Sequence, residues 1–129
     1  SGTFVVQLTV TDNDGDVDIF VSDSASPRCT LLRNDGGNAR NFLTLMAKGT
    51  QSNRDGLGAV VRIVAGKLVQ TRHIRRSYGY MGSNDVRLHV GLGPHVQADS
   101  IVVHWPSGQA QTLTGVAANQ QILLTEPSP

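Results

Sequence analysis

Apolar residues in this chain recur mostly with a period of two, in short runs separated by Gly, Asn, Asp, Ser or Pro, which is the pattern of strands joined by turns. Phe4 to Val10 puts Phe4, Val6, Leu8 and Val10 on one face against Val5, Gln7 and Thr9 on the other. Val17 to Val21 is predicted as the second strand. The intervening Thr11-Asp12-Asn13-Asp14-Gly15-Asp16 predicts a hairpin turn, because Gly and Asx residues tolerate left-handed backbone angles. Further strands are predicted at Cys29 to Arg33, Phe42 to Ala47, Ala59 to Ala65, Leu68 to Ser77, Val86 to Val90, Ser100 to Trp105, Gln109 to Leu113 and Gln120 to Thr125. Gly66-Lys67 and Pro106-Ser107-Gly108 supply tight turns, and Asn34-Asp35-Gly36-Gly37-Asn38 marks an internal boundary. A single helical turn is expected within Gly115 to Gln121. The fold class expected is all-β: an antiparallel β-sandwich or partial barrel with an N-terminal calcium-loop-type β-hairpin.

Composition narrows the function more than it narrows the fold. At 129 residues the chain is the size of one domain and can bury a core built mainly from Val and Leu, since it has only three Phe, two Tyr and one Trp. Eleven Lys plus Arg balance ten Asp plus Glu, so no global field draws it to nucleic acid. A lone cysteine, Cys29, removes any intrachain disulfide, and it is expected to be a buried, inert thiol. No apolar run reaches the ~20 residues of a membrane-spanning helix, and the first residues lack the pattern of a signal peptide. The last four residues, Glu126-Pro127-Ser128-Pro129, read as a frayed end.

The acidic turn carries the clearest chemistry. Asp12, Asp14, Asp16 and Asp18 alternate through a glycine-containing bend, so several carboxylates and a carbonyl can converge on one hard cation such as calcium. The alternative is a solvated turn. No flanking helix is predicted, and the twelfth position counted from Asp12 is Asp23 rather than Glu, which argues against an EF-hand. Asp-Asn-Asp-Gly-Asp-Val-Asp-Ile-Phe, followed by Leu31-Leu32-Arg33-Asn34-Asp35-Gly36-Gly37, resembles a blade segment of the FG-GAP or VCBS repeats of integrin-like propellers. The resemblance implies calcium ligands at Asp12, Asp14 and Asp18 and a carbonyl ligand at Asp16. Val10 stands where the pattern has its first carboxylate, which weakens the implied site. One incomplete blade cannot form a propeller, so the chain is expected to be a fragment whose hairpin packs on the rest of the molecule or on another copy.

From Asn41 onward, Ser52-Asn53-Arg54-Asp55-Gly56, Leu88-His89-Val90-Gly91-Leu92-Gly93 and Trp105-Pro106-Ser107-Gly108 resemble the ASPIC/UnbV domain. The resemblance implies an extracellular or cell-surface adhesion or carbohydrate-associated role with no catalytic machinery. The organisation expected is residues 1–40 as the partial blade, 41–126 as the ASPIC/UnbV-like domain and 127–129 as tail.

The remaining candidates weaken against simpler roles. His73, His89, His95 and His104 lack short ligand spacings for zinc, although His89 and His104 are expected on strands that could be neighbours. Asp55, Asp85 and Asp99 sit where Asx residues serve turns and caps, so no catalytic residue is assigned. Arg72, His73, Arg75 and Arg76 form the basic run, with Arg62 and Lys67 on the same hairpin. Alternation puts Arg72, Ile74 and Arg76 on one face and His73 and Arg75 on the other, which splits the charge. Tyr78 and Tyr80, in a Gly-flanked loop, can stack on a sugar or anchor a protein partner, and Trp105 is expected in the core or rim. Arg54 and Asp55 either hold their own loop together or contact a ligand. The function expected is non-enzymatic extracellular recognition of glycan or matrix or cell-surface protein, with structural calcium. The alternative is self-association through the hairpin and exposed strand edges, giving a homodimer.

Overall fold

Residues 6–11, 17–22, 29–78 and 83–128 are described by the computed structural model. The chain divides into two compact units, Ser1–Ala39 with Arg76–Asp85, and Arg40–Arg75 with Val86–Pro129. Among the described residues all regular structure is strand apart from one short 3-10 turn at Gly37–Ala39.

The first unit holds a three-stranded antiparallel sheet in the order β1 (Val6–Thr11), β2 (Val17–Ser22), β3 (Cys29–Leu32). Its register sets Val10 opposite Asp18 and Ile19 opposite Leu32. All four β3 residues are exposed, including Cys29, so the expectation of a buried thiol is wrong. The reason is topological: β3 is the last strand of its sheet, and no described residue of this unit covers Leu31 or Leu32, each more than half exposed.

The second unit is built from two sheets that share one core. One is three-stranded, in the order β10 (Gln120–Thr125), β4 (Asn41–Lys48), β7 (Leu88–Gly93). The other is four-stranded, in the order β6 (Leu68–His73), β5 (Val60–Ala65), β8 (Gln97–His104), β9 (Ala110–Ala117). Period-two alternation turns Leu43, Leu45 and Ala47 of β4 inward against Val61, Ile63 and Ala65 of β5 and Ile101 and Val103 of β8. Every pair of neighbouring strands is antiparallel except β10 with β4, which run parallel.

That parallel pairing follows from how the chain leaves β9. Gly115 lies within β9 at a left-handed φ of 62°, and Asn119 turns the chain at φ 59°. The Asn119 backbone N–H donates to Phe42 O (2.7 Å), its Oδ1 accepts from Phe42 N (3.1 Å), and its Nδ2 donates to Asn41 Oδ1 (2.8 Å). The turn is thereby docked to the start of β4, and β10 runs beside it. The helical turn expected within Gly115 to Gln121 is absent, because inward Leu113 and Val116 pack as strand residues against the core. The strand expected over Leu68 to Ser77 ends at His73, where Ile74 turns into the core and its N–H still pairs with Ala59 O (2.9 Å).

One flank of the sandwich is bridged by a side chain. On β6, Gln70 Nε2 donates to Gly91 O of β7 (2.7 Å), linking the two sheets, and Arg72 Nη2 donates to Gln70 Oε1 (2.8 Å).

Candidate functional site

The most organised feature of the second unit lies just beyond β4, β8 and β10, where three chain segments meet around the carboxylate of Glu126. By period two, Ile122, Leu124 and Glu126 share a face, so the strand that buries Leu124 also delivers Glu126 inward. Glu126 is 1% exposed, which overturns the expectation that residues 126–129 are frayed from their first position. Its backbone N–H continues the pairing with β4 by donating to Lys48 O (2.9 Å).

Every partner of the carboxylate is a neutral donor. Oε2 accepts from three consecutive backbone N–H groups, those of Thr50 (2.7 Å), Gln51 (2.8 Å) and Ser52 (2.8 Å). Oε1 accepts from the hydroxyls of Ser52 (2.7 Å) and Ser107 (2.5 Å). Consecutive amides aimed at one point form an anion-binding nest. Burial alone would raise the Glu126 pKa. The hydroxyl of Ser107, the amide and hydroxyl of Ser52 and the amide of Thr50 outweigh it and hold the group far below the ordinary carboxylate range. Ser107 N donates to Ser52 Oγ (3.1 Å), so the β8–β9 turn is tied to the same cluster.

The loop that supplies the amides is shaped from within as well. Asn53 grips Leu57 in both directions, Nδ2 donating to Leu57 O (2.7 Å) and Oδ1 accepting from Leu57 N (2.8 Å). Gly49 N donates to Arg54 O (3.1 Å), and a Cβ at Gly49 would lie 2.1 Å from Asn53 O. Gly56, at φ +62°, sits 2.5 Å from the Ala47 Cβ and 3.2 Å from Trp105 Cζ3 when a Cβ is placed on it. Trp105 is buried, in keeping with a core role.

On this frame Arg54 is exposed and Asp55 half-buried, next to one another in the pinned loop. Tyr78 is exposed and belongs to the first unit, and Tyr80 lies outside the described residues. The expected calcium ligands divide similarly. Asp18 is described and 1% exposed: its Oδ1 accepts from Asn34 N (2.9 Å), while its Oδ2 is buried with no hydrogen-bond partner among the described residues. Asp12, Asp14 and Asp16 lie outside the described residues.

The histidines are separated. His89 stacks on Phe42 with ring centroids 5.0 Å apart, and its Nδ1 is 3.0 Å from Thr44 Oγ1. The strands of His89 and His104, β7 and β8, belong to different sheets and are not neighbours; His73 and His104 instead face Val60 from either side. Among the described residues no group of three or more His, Cys, Asp or Glu is placed to hold a metal ion. Asp99 serves the turn role expected of it, Oδ2 accepting from Gly66 N (2.6 Å). The expectation that Ile74 shares a face with Arg72 and Arg76 also fails, since Ile74 is buried and both arginines are exposed.

Glu126, Ser107 and Thr50 were not legible as a cluster because Thr50 lies 76 positions and Ser107 19 positions from Glu126, and only the folded strands bring them together. A signal was present: continuing the inward parity of Ile122 and Leu124 by two residues lands on an acidic side chain. No helix of the described residues is long and apolar enough to cross a membrane. No curated protein matches the chain. The family model described as ASPIC and UnbV matches residues 49–129, from the pinned loop through both serine partners to Glu126 and the chain's last residue, and the chain belongs to that family.

Proposed function

We propose that this chain is a non-enzymatic recognition module acting outside the cell, with the loop end around Glu126 as its presenting surface for a glycan or for a matrix or cell-surface protein. The observation that carries this reading is the saturation of Glu126 by five neutral donors, which fixes the Thr50–Gly58 loop and leaves Arg54 displayed on it. A carboxylate so occupied is poorly suited to acid–base work, because its lone pairs are engaged and its pKa is far from neutral. A pre-ordered loop avoids the entropy that a mobile one loses on binding. Membership of the ASPIC and UnbV family is consistent with a non-catalytic domain. In binding to a glycan array or a panel of matrix proteins, Arg54→Ala should reduce binding about tenfold with no change in melting temperature, and Asp55→Ala should reduce it similarly. Binding unchanged in Arg54→Ala and Asp55→Ala would remove this loop as the surface.

Calcium in the N-terminal hairpin belongs to the same proposal, by resemblance to the FG-GAP repeats. The buried, unpartnered Oδ2 of Asp18 supports it, since an ionised oxygen without a donor is stabilised by a cation. When bound, the ion would be held by Asp18 with Asp12, Asp14 and the Asp16 carbonyl, and would supply a structural cross-link. At calcium 100-fold above its Kd, binding adds about 2.7 kcal/mol to the unit that holds it. A rise in melting temperature with calcium over chelator, absent in Asp18→Asn and Asp14→Ala, is the expected result; equal curves in calcium and chelator would leave a solvated turn. Self-association is a second reading, favoured by the exposed Leu31 and Leu32 on the edge of the first sheet and by the edge strands of the second unit that pair on one side only among the described residues.

A further inference from the structure

We infer that β10 is a self-pairing edge, through which two copies of this chain join their three-stranded sheets into one six-stranded sheet. The inference rests on the self-association reading and assigns it to one strand. Among the described residues β10 pairs only with β4, so its other edge carries unpaired N–H and C=O groups.

The other edges differ from it in ways that discourage pairing. On the far side of the same sheet, Gly91 O of β7 is engaged by Gln70. β6 carries Arg72 and His73, both exposed. β9 is interrupted by the left-handed Gly115, which twists the edge. β10, Gln120-Gln121-Ile122-Leu123-Leu124-Thr125, has no charge, no proline and no glycine.

The sequence of β10 also fits its own copy. Antiparallel pairing about a two-fold axis at Leu123 sets Leu123 opposite Leu123, Ile122 opposite Leu124 and Gln121 opposite Thr125. Apolar residues meet at the centre and polar ones at both ends. Leu123 is 55% exposed, and its register partner on β4, Met46, is 40% exposed. The dimer therefore runs an apolar row from Met46 through both Leu123 side chains to the second Met46. A short strand pair buries less than the ~1,200 Å² of a standard stable interface, so the dimer should be weak and concentration-dependent.

Sedimentation equilibrium of the full chain, with Cys29→Ser in every sample to exclude a disulfide, tests this between about 10 μM and about 1 mM. The weight-average mass should rise from 13.8 kDa toward twice that value. Leu123→Lys should weaken association at least tenfold, while its far-ultraviolet spectrum and melting temperature stay at the parent values, and Leu123→Cys should cross-link with itself on oxidation. A monomer at every concentration overturns both this inference and the self-association reading. Association unaltered by Leu123→Lys, or abolished instead by Leu32→Lys, overturns the assignment to β10 and leaves the first sheet as the contact.

Discussion

Glu126→Ala should lower the melting temperature by on the order of 10 °C, the largest loss expected from any single polar substitution in the second unit. Truncation leaves three consecutive amides and two hydroxyls without their shared acceptor in a part-buried cluster whose carboxylate is 1% exposed. Unsatisfied donors in such a place cost more than the bonds themselves contribute. Glu126→Gln keeps the shape but turns one acceptor into a donor aimed at other donors, so it should also destabilise. The pH dependence has a definite sign. The folded-state pKa lies below the ordinary value of 4.5, so the unfolded chain takes up the proton first as the solution is acidified. The contribution is complete above about pH 4.5 and declines as pH falls below it toward the folded pKa. Melting curves from pH 7 down to pH 3 should therefore fall more steeply for the parent than for Glu126→Gln; parallel profiles would show that the carboxylate contributes nothing to acid stability.

Gly56→Ala should destabilise by about 2–5 kcal/mol, combining a left-handed backbone with an overpacked contact. Only glycine adopts φ +62° without a Cβ penalty, and the added methyl would sit 2.5 Å from the Ala47 Cβ, a buried atom with little freedom to retreat. The effect should report on Trp105 as well, since its ring lies 3.2 Å from the same position. Denaturant unfolding followed by Trp105 fluorescence measures both, and a loss below about 1 kcal/mol would mean that the loop backs away from β4 easily.

Much of the fold was legible because it depends on local periodicity. Val60–Ala65 and Leu68–His73 around Gly66-Lys67, and Gln97–His104 and Ala110–Ala117 around Pro106-Ser107-Gly108, are hairpins whose turn chemistry and alternation lie side by side in the sequence. The Gly115 to Gln121 region was misread because Val116-Ala117-Ala118 is compatible with either state, and Asn119 docking on Phe42 decides between them through a contact across the sandwich. Cys29 was misread for a related reason: a Cys-Thr-Leu-Leu run looks interior until its strand proves to be an edge. Of the candidate surface, Arg54 and Asp55 were visible as polar residues in a Gly-bounded loop. The carboxylate that fixes that loop was not, because its partners come from two other segments, residues 50–52 and residue 107, that only folding brings to it.

Glu126 fixes the surface loop that follows β4 by accepting from three of its consecutive amides. Hydrogen exchange at the amides of Thr50, Gln51 and Ser52 tests it most directly. They belong to no strand, so the only strong acceptor described for them is Glu126 Oε2. They should exchange as slowly as core amides of β4 and β5 in the parent chain, and at rates near those of open loops in Glu126→Ala. Fast exchange of these three amides in the parent chain would contradict the account.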